Sequence, residues 1–340
     1  MRTAPEFWEK EPGLAADLLL PIGAAWDAAS RVRRALARPY RAPVPVICVG
    51  NLVAGGAGKT PVALALTAYL SAHGIAVHVV TRGYGGRLAG PVRVDPARHD
   101  AVAVGDEALL LASRAPCWVA RLRSAWIAAA VAAGAAAILL DDGFQNPTIA
   151  ATLALIVVDA VYGFGNRRVV PGGPLRESLR RGLARADGVV LLATEGETRP
   201  HRPIAADTSR LIIPAVLTAV DGARLTGSRA VAFAGIGRPE KFFATLRGLG
   251  VELVDARRFP DHHPFRFGEI AELRRTAARE NARLVTTAKD YVRVPPTARA
   301  GIEVLEVEVR WLDLVALDSL LGSDMLSARG NGHGPDEYHC

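Results

Sequence analysis

A chain of 340 residues is longer than one hydrophobic core usually supports, so the length favours two domains over one. Half of the residues are hydrophobic and 22% are charged, which excludes a wholly disordered chain. The net charge of +7 favours anionic partners, and phosphates, acidic lipids and RNA all remain open. The cysteines Cys48, Cys117 and Cys340 show neither disulfide nor zinc-ligand spacing, so a reducing cytoplasm is the simplest compartment.

The first 42 residues combine apolar and basic side chains in a way that suits a membrane interface. Trp8, a leucine cluster and Trp26 precede five arginines, which are Arg31, Arg33, Arg34, Arg38 and Arg41. An amphipathic segment at a membrane surface is one interpretation, and a helix packed on the main domain is the other. The chain start lacks the order of a secretory signal, and the alanine-rich run at 125–140 is shorter than the roughly 20 residues of a spanning helix.

From residue 43 onward, short apolar runs alternate with helical patterns. This alternation is typical of an α/β fold with a mostly parallel sheet and helices on both faces. The runs are almost continuously apolar, as strands covered on both faces must be. The predicted strands are 44–50, 77–83, 117–120, 137–142, 153–160 and 188–194, with helices at 60–73, 106–115, 121–134 and 174–186.

A polar break at 194–203 precedes a second and shorter series of predicted strands, at 230–237, 251–259, 282–290 and 302–309. We therefore expect a core domain over 43–210, a linker over 211–228 and a smaller α/β domain over 229–321. The last residues, 322–340, have almost no apolar content and are expected to be disordered.

The segment NLVAGGAGKTP, residues 51–61, follows the first predicted strand and resembles a phosphate-binding loop. The usual pattern, G-x-x-x-x-G-K-[ST], has a glycine where this chain has Val53. Gly55, Gly56 and Gly58 nevertheless allow several backbone N–H groups to point at one anion, at the start of a helix whose dipole favours negative charge. The pattern therefore predicts a phosphate site, with a plain glycine-rich turn as the alternative.

The residues that follow the glycines fit the same interpretation. Lys59 is expected at the β- and γ-phosphates, and the Thr60 hydroxyl is expected to bind Mg²⁺. Pro61 suits the first helical turn, where its missing N–H is no loss. A dinucleotide fingerprint, G-x-G-x-x-G, would need its third glycine at Pro61, so that class of site is excluded.

Asp141 and Asp142 end the predicted strand at 137–142. On their own, two acids before a glycine would more simply cap a turn. Together with a phosphate loop they favour a magnesium site, because carboxylates at a strand end hold this ion in nucleotide-dependent enzymes.

Eight stretches together make the sequence similar to the tetraacyldisaccharide 4′-kinase family. In chain order they are VPVICVGNLVAGGAGKTP (44–61), TRGYGGR (81–87), GDEALLLA (105–112), DDGFQN (141–146), GFGNRRVVPGGPLRE (163–177), AFAGIGRPEKFF (232–243), FPDHH (259–263) and TTAKD (286–290). The family loop reads V-G-G-T-G-K-T-P and also lacks the first glycine. This chain departs from the family at four alanines, of which Ala57 removes a hydroxyl from the loop; the others are Ala54, Ala108 and Ala288.

The resemblance implies a P-loop NTPase-like fold and a reaction. The ATP γ-phosphoryl group would be transferred, with Mg²⁺, to the 4′-hydroxyl of a tetraacyldisaccharide 1-phosphate, a lipid A precursor of Gram-negative bacteria. The implied partners are this lipid disaccharide and the anionic surface of the inner membrane, on its cytoplasmic face. No nucleic acid and no obligate protein partner are indicated.

The resemblance also implies roles for individual residues. Asp106 would accept the hydroxyl proton together with His262, because a carboxylate can orient an imidazole and raise its basicity; His263 is the alternative. Lys59 would act in catalysis, and Thr60, Asp141 and Asp142 would hold the metal. The implied nucleotide contacts are Gly55, Gly56, Ala57, Gly58, Lys59, Thr60, Arg123 and Gln145. Arg176 and Glu177 are expected to shape the cleft, with a structural ion pair as the simpler role for Glu177.

Two other functional classes have weaker support in the sequence. A regulatory GTPase would carry an N-K-x-D element, whereas here Lys289 and Asp290 are adjacent. A basic nucleic-acid-binding ATPase would need exposed aromatics among its arginines, and aromatic residues make up only 6% of the chain. Both classes are therefore disfavoured.

Overall fold

The computed structural model describes residues 5–120, 123–196 and 204–322. The strands fall into two groups. The first strand group consists of β1 (Val46–Gly50), β2 (Val77–Thr81), β3 (Val92–Arg93), β4 (Cys117–Val119), β5 (Ala137–Asp141), β6 (Leu153–Asp159), β7 (Gly188–Thr194) and β8 (Leu211–Val220). The second strand group consists of β9 (Arg229–Ala234), β10 (Glu252–Arg258), β11 (Arg283–Thr287) and β12 (Ile302–Trp311).

The helices connect these strands and also form the N-terminal segment. They are α1 (Leu14–Leu18), α2 (Leu20–Ala35), α3 (Lys59–Ala72), α4 (Ala101–Val104), α5 (Asp106–Ala112), α6 (Arg123–Ala132), α7 (Leu179–Arg185), α8 (Pro239–Gly248), α9 (Phe267–Arg279), α10 (Ala288–Tyr291) and α11 (Leu314–Leu321). Among the described residues, none of these helices has the length and apolar character needed to cross a membrane.

All twelve strands belong to one hydrogen-bonded sheet, in the order β10-β9-β11-β12-β8-β7-β6-β1-β5-β2-β4-β3. Neighbouring strands run parallel except at β12 with β8 and at β3 with β4. The mostly parallel sheet is as predicted from the sequence. The segment expected to be a linker contributes β8, through which the two strand groups join, while the domain boundaries themselves stay a prediction.

Alternation along β1 shows why helices cover both faces of the first strand group. Ile47 and Val49 are buried in the apolar cluster that includes α3 and α5. Val46 and Cys48 point to the opposite face, into the cluster that includes Trp126 of α6. Because successive residues of a strand face opposite sides, a five-residue apolar strand must have packing partners on both.

The second strand group repeats this arrangement around β9. Ala230, Ala232 and Ala234 face α8, whereas Val231 and Phe233 face α9. The small side chains on the α8 face leave room for the aromatic pair Phe242 and Phe243, which are buried in the same apolar cluster. Because β12 and β8 are antiparallel, β9 and β1 run in opposite directions, but the loop after β9 lies against the loop after β1: a Cβ built on Gly237 would be 3.1 Å from Gly56 N.

Two predicted elements have different bounds in the structure, one at its start and one at its end. The helix predicted at 174–186 begins only at Leu179, because Leu175 forms β-bridges with Val53 and Val169. The strand predicted at 282–290 ends at Thr287, whose side chain caps α10 by accepting a hydrogen bond from the Asp290 amide. The predicted disorder concerns 322–340, of which all but residue 322 lie outside the described residues.

The N-terminal helices pack on the first strand group. Trp8 donates its indole N–H to the carbonyl of Pro171 at 3.1 Å, and Trp26 donates to the carbonyl of Arg176 at 3.1 Å. Asp27 of α2 accepts a hydrogen bond from the Ser178 amide at 3.0 Å. One face of the segment is thus fixed to the body of the protein.

Val53 illustrates why the loop lacks its usual first glycine. The side chain is 5% exposed, and the residue forms an antiparallel bridge with Leu175 while the next amide, Ala54 N, donates to the carbonyl of Pro174 at 2.7 Å. The segment that follows β1 is therefore hydrogen-bonded to the loop before α7.

We expect Val53→Gly to destabilise the protein although it restores the usual pattern. The variant loses a buried side chain and gains backbone entropy in the unfolded state, together costing about 2–3 kcal/mol in the free energy of unfolding. Denaturant unfolding measures this cost, with Val53→Ile as the matched control. Equal stability of Val53→Gly and the wild type would contradict the packing role.

Candidate functional site

The loop between β1 and α3 presents unpaired backbone N–H groups. Ala54 N donates to the Pro174 carbonyl, and Val62 N donates to the Gly58 carbonyl. In the part of the chain that the structure describes, the amides of residues 55–60 donate no backbone–backbone hydrogen bond. Buried or half-buried amides need an acceptor, and an anion at a helix N-terminus provides one.

Gly58 is required at the end of this loop. Its φ of 82° is left-handed, and a Cβ built on it would lie 2.3 Å from Leu192 Cδ2. The left-handed backbone angle therefore disfavours any other residue, and a side chain here would have to displace the end of Leu192. Gly55 and Gly56 are exposed and Ala57 is buried, so the missing hydroxyl at residue 57 is replaced by apolar packing.

Asn51 organises the loop and was not singled out from the sequence. Its side-chain amide donates to the carbonyl of Val53 at 2.9 Å, and its Oδ1 accepts a hydrogen bond from Lys59 Nζ at 3.3 Å. Lys59 also lies 3.7 Å from Asp142 Oδ1. Lys59 is thus held over the loop in the position expected of a phosphate-binding lysine.

Asp141 and Thr60 form the inner part of the predicted metal site. Thr60 Oγ1 donates to Asp141 Oδ2 at 3.1 Å, while Asp141 Oδ1 is buried and has no hydrogen-bond partner among the described residues. Burial raises the pKa of Asp141 to about 7, and the charges of Glu107 and Asp142 add to the shift against the opposing charge of Lys59. An unpartnered buried carboxylate oxygen beside a hydroxyl fits Mg²⁺.

Asp142 is engaged by cations. Arg176 Nη1 donates to its two carboxylate oxygens at 3.1 and 3.3 Å, and also to Gln145 Oε1 at 3.3 Å. The described residues contain no group of three or more His, Cys, Asp or Glu side chains arranged around a metal. A site built here would therefore rely on phosphate and water oxygens, as magnesium sites in kinases do.

Gln145 and Glu177 lie next to the segment that leads into the loop. Gln145 Nε2 donates to the Asn51 carbonyl at 2.8 Å. Glu177 is buried and accepts two hydrogen bonds from Arg185, at 2.5 and 3.0 Å, which is the ion pair considered for it from the sequence. Arg123 begins α6, but its side chain lies outside the described residues.

Asp106 and His262 meet although 156 positions separate them. His262 Nδ1 donates to Asp106 Oδ2 at 2.9 Å, and Arg293 Nε lies 3.3 Å from the same oxygen. Asp106 begins α5 and is 3% exposed, whereas His262 lies in the loop after β10. The structure therefore brings together the two residues that the sequence paired.

Cations around Asp106 keep it ionised. Burial alone would raise the pKa of Asp106, but the hydrogen bond from His262 and the charges of Lys289 and Arg293 outweigh it and lower the pKa. Lys289 in turn donates to Glu107 at 2.9 Å. The charge of this carboxylate is thus compensated by residues of the second strand group.

His263 has a different environment. Its Nε2 lies 3.0 Å from Glu269 Oε2, and its ring stacks on Phe259 at 4.8 Å between centroids. These contacts belong to the packing of α9. Of the two histidines left open by the sequence, His262 is the one that contacts Asp106.

Arg293 is a second residue that sequence reasoning missed. Its guanidinium donates to the carbonyl of Gly235 at 2.8 Å and to Asp290 at 2.5 Å, and the side chain is 5% exposed. Arg293 follows Asp290 by three residues, across the turn after α10, and this spacing of opposite charges was the sequence signal for their contact.

A model of the family described as LpxK, tetraacyldisaccharide-1-P 4′-kinase, matches residues 15–325. The chain belongs to this kinase family. A tetraacyldisaccharide 4′-kinase of Rhodospirillum centenum is 51% identical over 97% of this chain and 98% of its own. One from Dinoroseobacter shibae is 51% identical over 93% and 96%, respectively.

A solved structure of LpxK from Aquifex aeolicus, described as an "apo" form in complex with ATP, has the same fold. It aligns with a TM-score of 0.70 over 91% of this chain and 98% of that chain, at 24% sequence identity. The expected P-loop NTPase-like architecture of this family member is thereby confirmed.

We expect Asp141→Asn to stabilise the metal-free protein at high pH. A carboxyl whose pKa is about 7 in the folded state and near 4 when unfolded destabilises the fold progressively as pH rises from about 4 to 7. The asparagine removes this penalty, so the melting temperature should exceed that of the wild type by several degrees at pH 8 and converge near pH 4. Asp142→Asn, which loses an ion pair with Arg176, is the control, and a lower melting temperature for Asp141→Asn at pH 8 would refute the buried-charge account.

Proposed function

We propose that this chain is an ATP- and Mg²⁺-dependent lipid kinase. It would phosphorylate the 4′-hydroxyl of a tetraacyldisaccharide 1-phosphate to give the 1,4′-bisphosphate lipid A precursor. The observation that carries the proposal is that a loop with unpaired amides lies close to the Asp106–His262 pair, since the segment after β9 contacts Gly56 at Gly237 and accepts a hydrogen bond from His262 N at Gly235. The names of the relatives and the ATP complex of the solved LpxK support the same substrates.

The first strand group binds the nucleotide phosphates in this proposal. The amides of residues 55–60 would donate to the phosphate oxygens, and Lys59 would leave Asn51 and Asp142 to contact the β- and γ-phosphates. Thr60, Asp141 and Asp142 would hold Mg²⁺, which when bound neutralises phosphate charge. Gln145 acts through the Asn51 carbonyl, and Arg123 is proposed to contact nucleotide on family similarity alone.

The Asp106–His262 pair would take the proton of the sugar hydroxyl. Asp106 Oδ2 is already engaged by His262 Nδ1 and by Arg293, and its lowered pKa makes it a weak base. It fixes the ring so that the second nitrogen, Nε2, is the place where the proton is accepted. With its proton taken up by Nε2, the hydroxyl oxygen would attack the γ-phosphorus, the bond from that phosphorus to the bridging oxygen of ADP would break, and ADP would leave.

The two expected domains divide this work. We propose that residues 43–210 form the nucleotide-binding domain and that residues 229–321 form a smaller domain supplying His262. The hydrogen bond between His262 and Asp106 is where the two would meet over the reacting groups.

Transfer of label from γ-³²P-ATP to a tetraacyldisaccharide 1-phosphate in mixed micelles tests the proposal. The wild type should move label to the lipid, and His262→Gln should lower kcat by about 10²- to 10⁴-fold, the range of general base catalysis. His263→Gln is the matched control and should keep kcat within a few-fold, because His263 pairs with Glu269 instead.

The outcomes separate the alternatives. Label released only as free phosphate would indicate a switch or a nucleic-acid-dependent ATPase, and equal losses in the two histidine variants would remove His262 from the proton-transfer step. No reaction of the folded wild type with ATP would reject the kinase assignment as a whole.

We further propose that the N-terminal segment binds the cytoplasmic face of the inner membrane. Leu14 and Leu18 of α1 are 85% and 79% exposed, and Ile22 and Val32 of α2 are also exposed. Arg31, Arg33, Arg38 and Arg41 are exposed, while Arg34 is half-buried. Each basic side chain near an anionic leaflet contributes on the order of 1 kcal/mol, so this surface suits an acidic membrane.

Leu14→Glu together with Leu18→Glu should reduce flotation with phosphatidylglycerol vesicles at least tenfold. The two changes place charge where apolar side chains would enter the lipid, while both positions are already solvent-exposed and leave the core unchanged. Val315→Glu on α11, at an 81% exposed position outside this segment, is the control. Undiminished flotation of the double variant would assign membrane binding to another surface.

A further inference from the structure

A buried ion-pair cluster at the end of β6 lies outside the groups assigned above. Asp159 is 5% exposed, and its Oδ2 accepts hydrogen bonds from Arg238 Nη1 at 3.0 Å and from Lys241 Nζ at 2.6 Å. Its Oδ1 accepts from the amides of Val161 and Tyr162 at 3.1 and 2.9 Å. A carboxylate of the first strand group is thus bound by two cations at the start of α8, in the second.

The segment that carries these cations, residues 235–241, lies against the phosphate loop. A Cβ built on Gly237 would be 3.1 Å from the backbone nitrogen of Gly56. The Arg238 guanidinium lies 3.8 Å above the ring of Tyr162, which fixes its direction. Segment 235–241 is therefore held between the loop and the end of β6.

The same segment holds the backbone of His262. The carbonyl of Gly235 accepts hydrogen bonds from His262 N at 3.0 Å and from Arg293 Nη2 at 2.8 Å, and Gly235 N donates to Asp290 Oδ1 at 2.8 Å. His262 has a left-handed φ of 59°, a conformation that a non-glycine residue keeps only when its surroundings enforce it. The position of segment 235–241 thus bears directly on the imidazole.

We propose that Asp159 is a positioning residue for phosphoryl transfer. Its ion pairs with Arg238 and Lys241 hold segment 235–241 against the phosphate loop, and through Gly235 this keeps His262 on Asp106. Asp159 itself contacts neither nucleotide nor lipid in this account. The inference rests on the proposed function, because it concerns the proton acceptor of that reaction.

The charge state of Asp159 agrees with this role. Burial alone would raise its pKa, but the charges of Arg238 and Lys241 outweigh burial and lower it. The carboxylate therefore stays ionised at neutral pH, so its ion pairs with Arg238 and Lys241 are present at that pH.

Steady-state kinetics of Asp159→Asn test the proposal in the wild-type and His262→Gln backgrounds. In the wild-type background kcat should fall about 10- to 100-fold with KM for Mg·ATP within threefold, since the loop itself is intact. In the His262→Gln background the same change should cost less than threefold, because a residue that acts through His262 has nothing left to position. Arg238→Lys should restore most of the activity that Arg238→Gln loses.

Two further measurements separate positioning from general instability. Hydrogen exchange of intact Asp159→Asn should accelerate in peptides covering 235–241 and 259–263, with β1 unchanged. Arg229→Gln, which removes an arginine that pairs with Glu252 and Glu280 on the far side of β9, should leave kcat unchanged.

Unchanged kcat in Asp159→Asn, or equal fold-losses in both backgrounds, would overturn the positioning role. Should Asp159→Asn fail to fold, Arg238→Gln carries the same comparison between backgrounds. The wild-type transfer assay decides the proposed function separately, since only the ratio between variants bears on Asp159.

Discussion

The buried carboxylate of Asp106 is the constraint on which the arrangement of the two strand groups depends. An ionised group with 3% exposure is stable only if other charges or donors replace its lost hydration. Here the replacement comes from His262, Arg293 and Lys289, all in the second strand group, whereas Asp106 belongs to the first. Separating the groups would leave the carboxylate uncompensated, so the interaction that assembles the site also adds to the β8–β12 pairing in keeping the two strand groups together.

The loop after β1 and the end of β5 carry complementary unsatisfied groups. Within the part of the chain described, the amides of residues 55–60 donate no backbone–backbone hydrogen bond, and Asp141 Oδ1 has no hydrogen-bond partner. An anion alone would accept hydrogen bonds from the amides but would repel the Asp141 carboxylate. A cation alone would neutralise that carboxylate but would leave the amides without acceptors. A magnesium-bound phosphate satisfies both at once, which is why its two components are expected to bind together.

Local chemistry explains what the sequence could predict. The β1–loop–α3 unit follows from an apolar run, glycines and a helix start within 30 positions, and all of its groups interact with near neighbours. β8 was missed because Pro214 interrupts its apolar run, and proline usually argues against a central strand. β8 pairs with β12, about 90 residues further along the chain. The contact between Arg293 and Asp106 joins positions that are even further apart in the sequence. The spacing of residues along the chain does not indicate which of these distant segments meet.

The division of the site between the strand groups has a kinetic consequence. In the proposed function the groups that would bind phosphate lie in the loop after β1 and at the start of α3, so nucleotide affinity would be a property of the first strand group. The loop after β9 holds the backbone of His262 through Gly235, which also accepts a hydrogen bond from Arg293, so the proposed proton transfer would be a property of the contact between the groups. Perturbations of that contact should therefore act on kcat with little effect on nucleotide binding, whereas perturbations of Asn51 or Gly58 should act on both, because a misplaced γ-phosphate cannot be attacked in line.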